Sequence, residues 1–222
     1  MKTITKLVLV SAACLTWAAM GEESSVLDRW CTRFDIGGSM PQNPTLSEIG
    51  GPVTSGDEIE LSAGIQFDFA VGYRVTPWLT LEGELGFTFN EVDSVGNFSY
   101  PDSALSQMAM MFNVEFSYPR GPLVPFAGIG AGGVFSELSF GNYYDFYYSD
   151  SDGSGTDFVP AAQAFAGVRY EFNKQFSLGV TYRFLATASQ KWDVEWSYGP
   201  DFKVGVDRVC MHSICLVFSG SF

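Results

Sequence analysis

The chain has 222 residues, enough for one large domain or two small ones. Hydrophobic residues make up 46%, aromatics 16% and charged residues only 17%, which excludes disorder for the bulk of the chain. Lys and Arg number 12 against 25 Asp and Glu, a net charge of -13 that argues against nucleic acid as a partner, because phosphate contacts need a basic surface.

Lys2 and Lys6 form a short basic stretch, and Leu7 to Met20 then runs without a charge. That run falls short of the ~20 apolar residues a spanning helix needs. Ala19 and Gly21 fit a cleavage site, and the first acids follow at Glu22 and Glu23. Residues 1–21 therefore read as a secretory signal peptide and 22–222 as the mature domain. An uncleaved anchor and a lipoprotein attached through Cys14 are the alternatives, the second opposed by Ser11 where a Leu is wanted. The mature chain carries 10 basic and 25 acidic residues, a net charge of -15. It keeps no apolar run of 18 residues, so either secretion or a membrane β-barrel remains.

The rest of the chain has a period of two. Residues 59–73 place Ile59, Leu61, Ile65, Phe67, Phe69, Val71 and Tyr73 on one face and Glu60, Gln66 and Asp68 on the other. Strict alternation over fifteen residues means a strand, and an unusually long one. Similar alternation follows through Leu79–Phe89, Met108–Tyr118 and Phe176–Phe184, whereas the facing of the Gly-rich stretch 123–140 stays open. Tight turns fall at Thr76-Pro77, at 119–122 and at 173–175, and long polar connections at about 39–57, 92–104, 141–158 and 190–207. The expected strands are about 29–38, 58–74, 78–91, 105–118, 123–140, 159–173, 176–189 and 208–222. Eight antiparallel strands with long and short connections in alternation predict an all-β, up-and-down transmembrane β-barrel.

Eight strands enclose an interior just wide enough for side chains. The Phe, Leu, Met and Tyr of the apolar face would overfill it, so that face is assigned to lipid. The lumen then receives Arg33, Asp35, Glu60, Asp68, Arg74, Glu82, Glu84, Glu115, Arg169, Glu171 and Arg183. Both signs occur, and pairing across the lumen would make a plug. Trp30 and Trp78 are expected in an aromatic girdle at the short-turn end, and Trp192 and Trp196 in one at the long-loop end. Cys31 on the first strand and Cys215 on the last both fall on the inward register, which predicts neighbours able to form a disulfide.

The last strand alternates Ile214, Leu216 and Phe218 and ends the chain on Phe222. With the leader and the eight strands, this resembles the small bacterial outer-membrane β-barrel proteins of the OmpA/OmpX type, over about 29–222. The resemblance implies residence in the outer membrane, contact with its lipid and lipopolysaccharide, recognition of the terminal strand by the barrel assembly machinery, and a monomeric state. The chain departs from OmpA in ending at the barrel, so tethering to peptidoglycan is not implied.

Chemistry is thin. Lipid A deacylases of this size use a His and a Ser two apart on one face, whereas His212 and Ser213 are adjacent and point to opposite faces. No catalytic residue and no cofactor is assigned. Asp150, Asp152 and Asp157 loosely resemble a calcium loop without its full ligand set and are candidates for weak divalent-cation binding. Tyr143, Tyr144, Tyr147 and Tyr148 form either a contact surface or part of an interface girdle. The leading functional reading is a structural or surface-interaction protein working through acidic, aromatic loops. A small porin-like channel comes second, a lipid-modifying enzyme third, and a secreted soluble barrel is the remaining alternative.

Overall fold

The computed structural model describes residues 29–49, 57–96, 98–140, 153–173, 175–196 and 202–221. Twelve antiparallel strands fall within them: β1 (Trp30–Pro41), β2 (Leu46–Ile49), β3 (Ile59–Leu61), β4 (Gly64–Thr76), β5 (Leu79–Val95), β6 (Phe98–Ser117), β7 (Leu123–Phe140), β8 (Gly153–Glu171), β9 (Phe176–Thr187), β10 (Gln190–Trp196), β11 (Phe202–Val206) and β12 (Cys210–Ser221). Eight of them close a ring in the order β1, β4, β5, β6, β7, β8, β9, β12 and back to β1. Arg33 faces Ser219 and Ala70 across its two neighbours, which fixes the closing register.

The ring is half of the molecule. β5 to β8 run 17 to 20 residues each, about twice the ~9–11 that cross a bilayer. The other four ring strands break partway and resume as β2, β3, β10 and β11. A second circuit of pairing joins β5, β6, β7, β8, β10, β11 and β2, then passes through the bridge Thr45↔Glu58 to β3 and back to β5. The breaks are stitched by backbone bonds, with Gln42 N donating to Cys210 O at 2.8 Å and Ala188 N to Pro160 O at 2.9 Å. Most of the segments expected as long loops (39–57, 92–104, 190–207) thus supply the strands and hairpins of an upper ring stacked on the lower one.

The two rings have opposite polarity. Around the lower ring Phe34, Leu85, Phe112, Ile129, Tyr182 and Phe218 stand exposed, with Phe112 74% accessible. Trp30 and Trp78 sit at its short-turn end. Its interior is charged and amide-rich. Around the upper ring the outward side chains include Glu60, Glu91, Asp93, Asp102, Glu137, Asp193 and Glu195, with Lys203 beside Asp193. The upper interior holds a buried apolar cluster that includes Leu46, Ile59, Leu61, Val92, Leu105, Leu138, Trp192, Val194 and Val206. This is what two different solvents require: a belt against hydrocarbon needs apolar groups outside, and a collar in water needs them inside.

A continuous strand cannot switch which parity faces inward without an irregularity. Each interrupted strand contains one. Ile59 and Leu61 point inward on β3, then Gln66 and Asp68 on β4. Arg183 and Leu185 point inward on β9, then Trp192 and Val194 on β10. The alternation expected across 59–73 is therefore one apolar pattern serving two faces, and it breaks at Ser62–Ala63. Two expectations are corrected. Glu60 is exposed on the outside of the upper ring, where its carboxylate accepts from Ser94, and it is not in the lumen. Trp192 is 1% exposed, its indole donating to Ser136 Oγ at 3.0 Å, so it anchors the upper core and is no girdle residue.

Candidate functional site

The lower lumen is built on two arginines, Arg33 from β1 and Arg183 from β9. Arg33 Nη2 meets Glu84 Oε2 at 2.6 Å, its Nη1 meets Glu82 at 2.8 Å and Glu115 at 3.2 Å, and its Nε lies 3.3 Å from Asp35. Arg183 pairs with the other oxygen of Glu84, with Asp35 at 3.0 Å and with Asp68 at 3.7 Å. Glu84 is the hub, accepting also from Asn113 Nδ2 at 2.9 Å and Gln163 Nε2 at 3.0 Å. Arg183 in turn donates to Gln163 Oε1 at 2.8 Å. The Phe165 ring lies under both guanidiniums, 5.0 Å from Arg33 and 5.4 Å from Arg183, and supplies its π face where no carboxylate stands.

Above this layer Gln66 donates through one nitrogen to both oxygens of Asp68, at 2.9 and 2.7 Å, and accepts from Ser213. Below it Arg169 donates to Glu115 Oε1 at 2.8 Å and Ser117 Oγ at 3.0 Å, and covers Phe126 at 5.1 Å. Ion pairs this deep gain little over apolar packing, but they leave an uncompensated charge if one partner goes. They tie β1, β4, β5, β6, β8 and β9 to one another across the interior of the ring, and the apolar upper core stands above them. Together they give the barrel two stacked blocks, one charged and one mainly apolar.

Eight of the eleven charged residues expected in the lumen meet here: Arg33, Asp35, Asp68, Glu82, Glu84, Glu115, Arg169 and Arg183. Arg74 and Glu171 sit at the short-turn mouth, the first donating to Ser221 Oγ at 3.1 Å and the second 3.9 Å from Arg169 Nε. The expected Cys31–Cys215 neighbourhood is corrected by the register. Cys31 faces Ser221 across β1–β12 while Cys215 faces Gly37, six residues away and on the order of 20 Å along the strand. Both are free thiols, as is Cys210. Asp157 belongs to β8, and its carboxylate accepts from the backbone N–H of Phe158 at 2.8 Å and of Lys191 at 2.7 Å, bridging β8 to β10. Asp150, Asp152 and the tyrosines Tyr143, Tyr144, Tyr147 and Tyr148 lie outside the described residues, as does Phe222. Ile214, Leu216 and Phe218 stand exposed on the belt. His212 shares their outward face, 2.6 Å from the Tyr182 hydroxyl and 2.8 Å from Gln42 Nε2, while Ser213 points inward.

Sequence reasoning missed Gln163, Asn113 and Phe165 as members of the plug. Phe165 and Phe126 lie among Phe and Ala residues whose alternation is blurred by small side chains. The glycines of β7 held the signal. A Cβ on Gly128 would collide with the Phe165 ring, and one on Gly130 with the Asn113 amide. Their place in the stretch 123–140 is set by the large neighbours they must admit.

The sequence matches the family described as "Outer membrane protein beta-barrel domain" over residues 7–207. No curated protein matches the chain. Among solved structures it is similar to Neisserial surface protein A, with 13% identity over 87% of this chain and 97% of that one and a TM-score of 0.53. It is also similar to the outer membrane protein OprG from Pseudomonas aeruginosa, with 12% identity, 88% and 97% coverage and a TM-score of 0.58. The outer membrane protein AlkL gives 18% identity, 91% and 95% coverage and a TM-score of 0.52. These likenesses concern the fold alone. With a family match over most of its length, an eight-stranded closed ring and an apolar belt around a charged lumen, the chain belongs to the outer-membrane β-barrel domain family and resides in the bacterial outer membrane.

Proposed function

We propose that the protein is a non-conducting, non-catalytic surface platform: a membrane anchor that holds a rigid, acidic β-collar and its loops outside the cell. The observation that carries this reading is the double closure of the lumen, first by the Arg33/Arg183 network and then by the apolar core around Trp192. A solute path would need a continuous wet bore, and a buried apolar layer disfavours water and ions together. In this reading residues 1–21 direct export and residues 22–222 form the mature domain. The barrel meets membrane lipid through its belt and lipopolysaccharide at the level where belt gives way to collar. The collar's outward carboxylates favour neutral or cationic partners, divalent cations among them, and disfavour anionic ones. Its function as a monomer needs no second copy, because the ring has no open edge.

The test is electrical. Refolded protein in a planar bilayer is expected to give no unitary current across the physiological range of voltage and salt. A stable ion current from a homogeneous preparation would overturn the platform reading in favour of a channel.

A further inference from the structure

The short-turn end of the lower ring opens into a cavity of ≈ 690 Å³ whose inner lining includes Arg33, Glu82, Glu115 and Arg169 of the charged network. It lies on the periplasmic side, where the short turns of such barrels project. Its volume falls in the range of small-molecule sites. The wall mixes polar and apolar groups, and the inward-facing Thr80, Ser117 and Ser221 are among its lining residues.

Its charge runs against that of the chain. Four guanidiniums (Arg29, Arg33, Arg74 and Arg169) and three carboxylates (Glu82, Glu115 and Glu171) line it, an excess of one positive charge in a protein whose net charge is -13. All three carboxylates already face Arg33 or Arg169. Arg74 has no carboxylate at ion-pair distance among the described residues, and its partner is the neutral Ser221 hydroxyl. Among the described residues Arg29 reaches the Tyr73 hydroxyl, at 3.5 Å. Behind them the Ser219 hydroxyl is buried with no partner among the described residues. A guanidinium fork at the mouth with no carboxylate at ion-pair distance among the described residues, beside the Ser221 hydroxyl, is complementary to a ligand with an anionic head and a hydroxylated body.

We propose that this vestibule is a periplasmic binding site for a small hydroxylated anion, a carboxylate or phosphate ester, clamped by Arg74 with help from Arg29. The anion comes from the periplasm or from the headgroup of an inner-leaflet phospholipid, and the two sources share the same chemistry at Arg74. On the closed-lumen reading proposed above, the site captures its ligand without transporting it.

Calorimetric titration of the refolded barrel in lauryldimethylamine oxide micelles, with glucose 6-phosphate as probe, tests this. Saturable 1:1 binding is expected, with glucose inert at the same concentrations. Arg74→Gln should weaken it at least tenfold and Arg29→Gln to a smaller degree, while Arg208→Gln at the opposite end leaves it unchanged. Heat-modifiable migration on gels verifies that each variant is folded. Dihexanoyl phosphatidylglycerol that displaces the probe identifies the lipid headgroup as the source, and failure to displace it identifies a free solute. Absence of saturable binding, equal affinity in Arg74→Gln, or an equal loss in Arg208→Gln would each overturn the site.

Discussion

Arg183→Ala is expected to destabilise the folded barrel by about 3–5 kcal/mol, the range for removing one partner of a buried ion pair. Arg183 serves Asp35, Asp68, Glu84 and Gln163 together, and its side chain is 2% exposed. Without it three carboxylates share a lumen where Arg33 alone remains beside them in the central layer. Arg183→Met keeps most of the volume and should recover little, because the cost is uncompensated charge and not a cavity. Reversible urea unfolding in lipid vesicles, followed by tryptophan fluorescence, reads the difference. Values within 1 kcal/mol of the parent would show that the network contributes no more than ordinary packing. The variant should still pass no current, because the apolar core above the network is untouched.

Trp192→Ala is expected to cost a comparable ~3–5 kcal/mol, by another route and in another place. The residue is the largest fully buried side chain among the described residues, so truncation leaves a cavity among Leu138, Val194 and their neighbours and removes the donor to Ser136 Oγ. The upper ring has its own core and its own circuit of pairing, so the damage should stay local. Hydrogen exchange is expected to accelerate in β10 and β11 while the lower halves of β5 to β8 keep their protection. Uniform acceleration through both rings would mean that the two fold as one cooperative unit.

The lower ring was legible in the sequence because its alternation is coupled to a single solvent, hydrocarbon. Met108 to Tyr118 and Phe176 to Phe184 present apolar groups outward along an uninterrupted strand, and pattern and structure coincide. The upper ring looks like loops in the sequence for two physical reasons. Its added strands β2, β3, β10 and β11 are short and polar outside, so they look like connections, and their inward parity is shifted by one from the ring strands that they continue. Glu60 shows the consequence. It continues the spacing of Gln66 and Asp68, yet the irregularity at Ser62–Ala63 sends it to the opposite side of the wall. Trp192 was misplaced by the same logic, since a Trp near a loop resembles a girdle residue until the loop proves to be a strand with a core side.

The charged members of the plug were readable one by one, because a carboxylate or guanidinium on the face opposite a Phe stripe has nowhere else to go. Their partners were less so. Gln163 and Asn113 are ordinary in sequence, and they matter because the β6–β7–β8 register brings them beside Glu84. The cysteines failed through register too. Both point inward, but the closing seam sets Cys31 against the end of β12 and Cys215 against its middle, an offset that facing alone does not reveal.

The wall reverses its polarity where the lower ring gives way to the upper. β6 tests it best, being unbroken through both rings with one inward parity throughout. Nitroxide labels placed singly along its outward positions, in a chain whose own cysteines are replaced, can be compared for collision with dissolved oxygen and with a water-soluble nickel chelate. At Met108, Met110, Phe112, Val114 and Phe116 oxygen should dominate; at Asp102, Ala104 and Ser106 nickel should. Labels at inward Ala109 and Met111 should be shielded from both. Oxygen-dominated contact continuing up to Asp102, or nickel reaching the inward positions, would contradict a water-bathed collar closed over a filled membrane barrel.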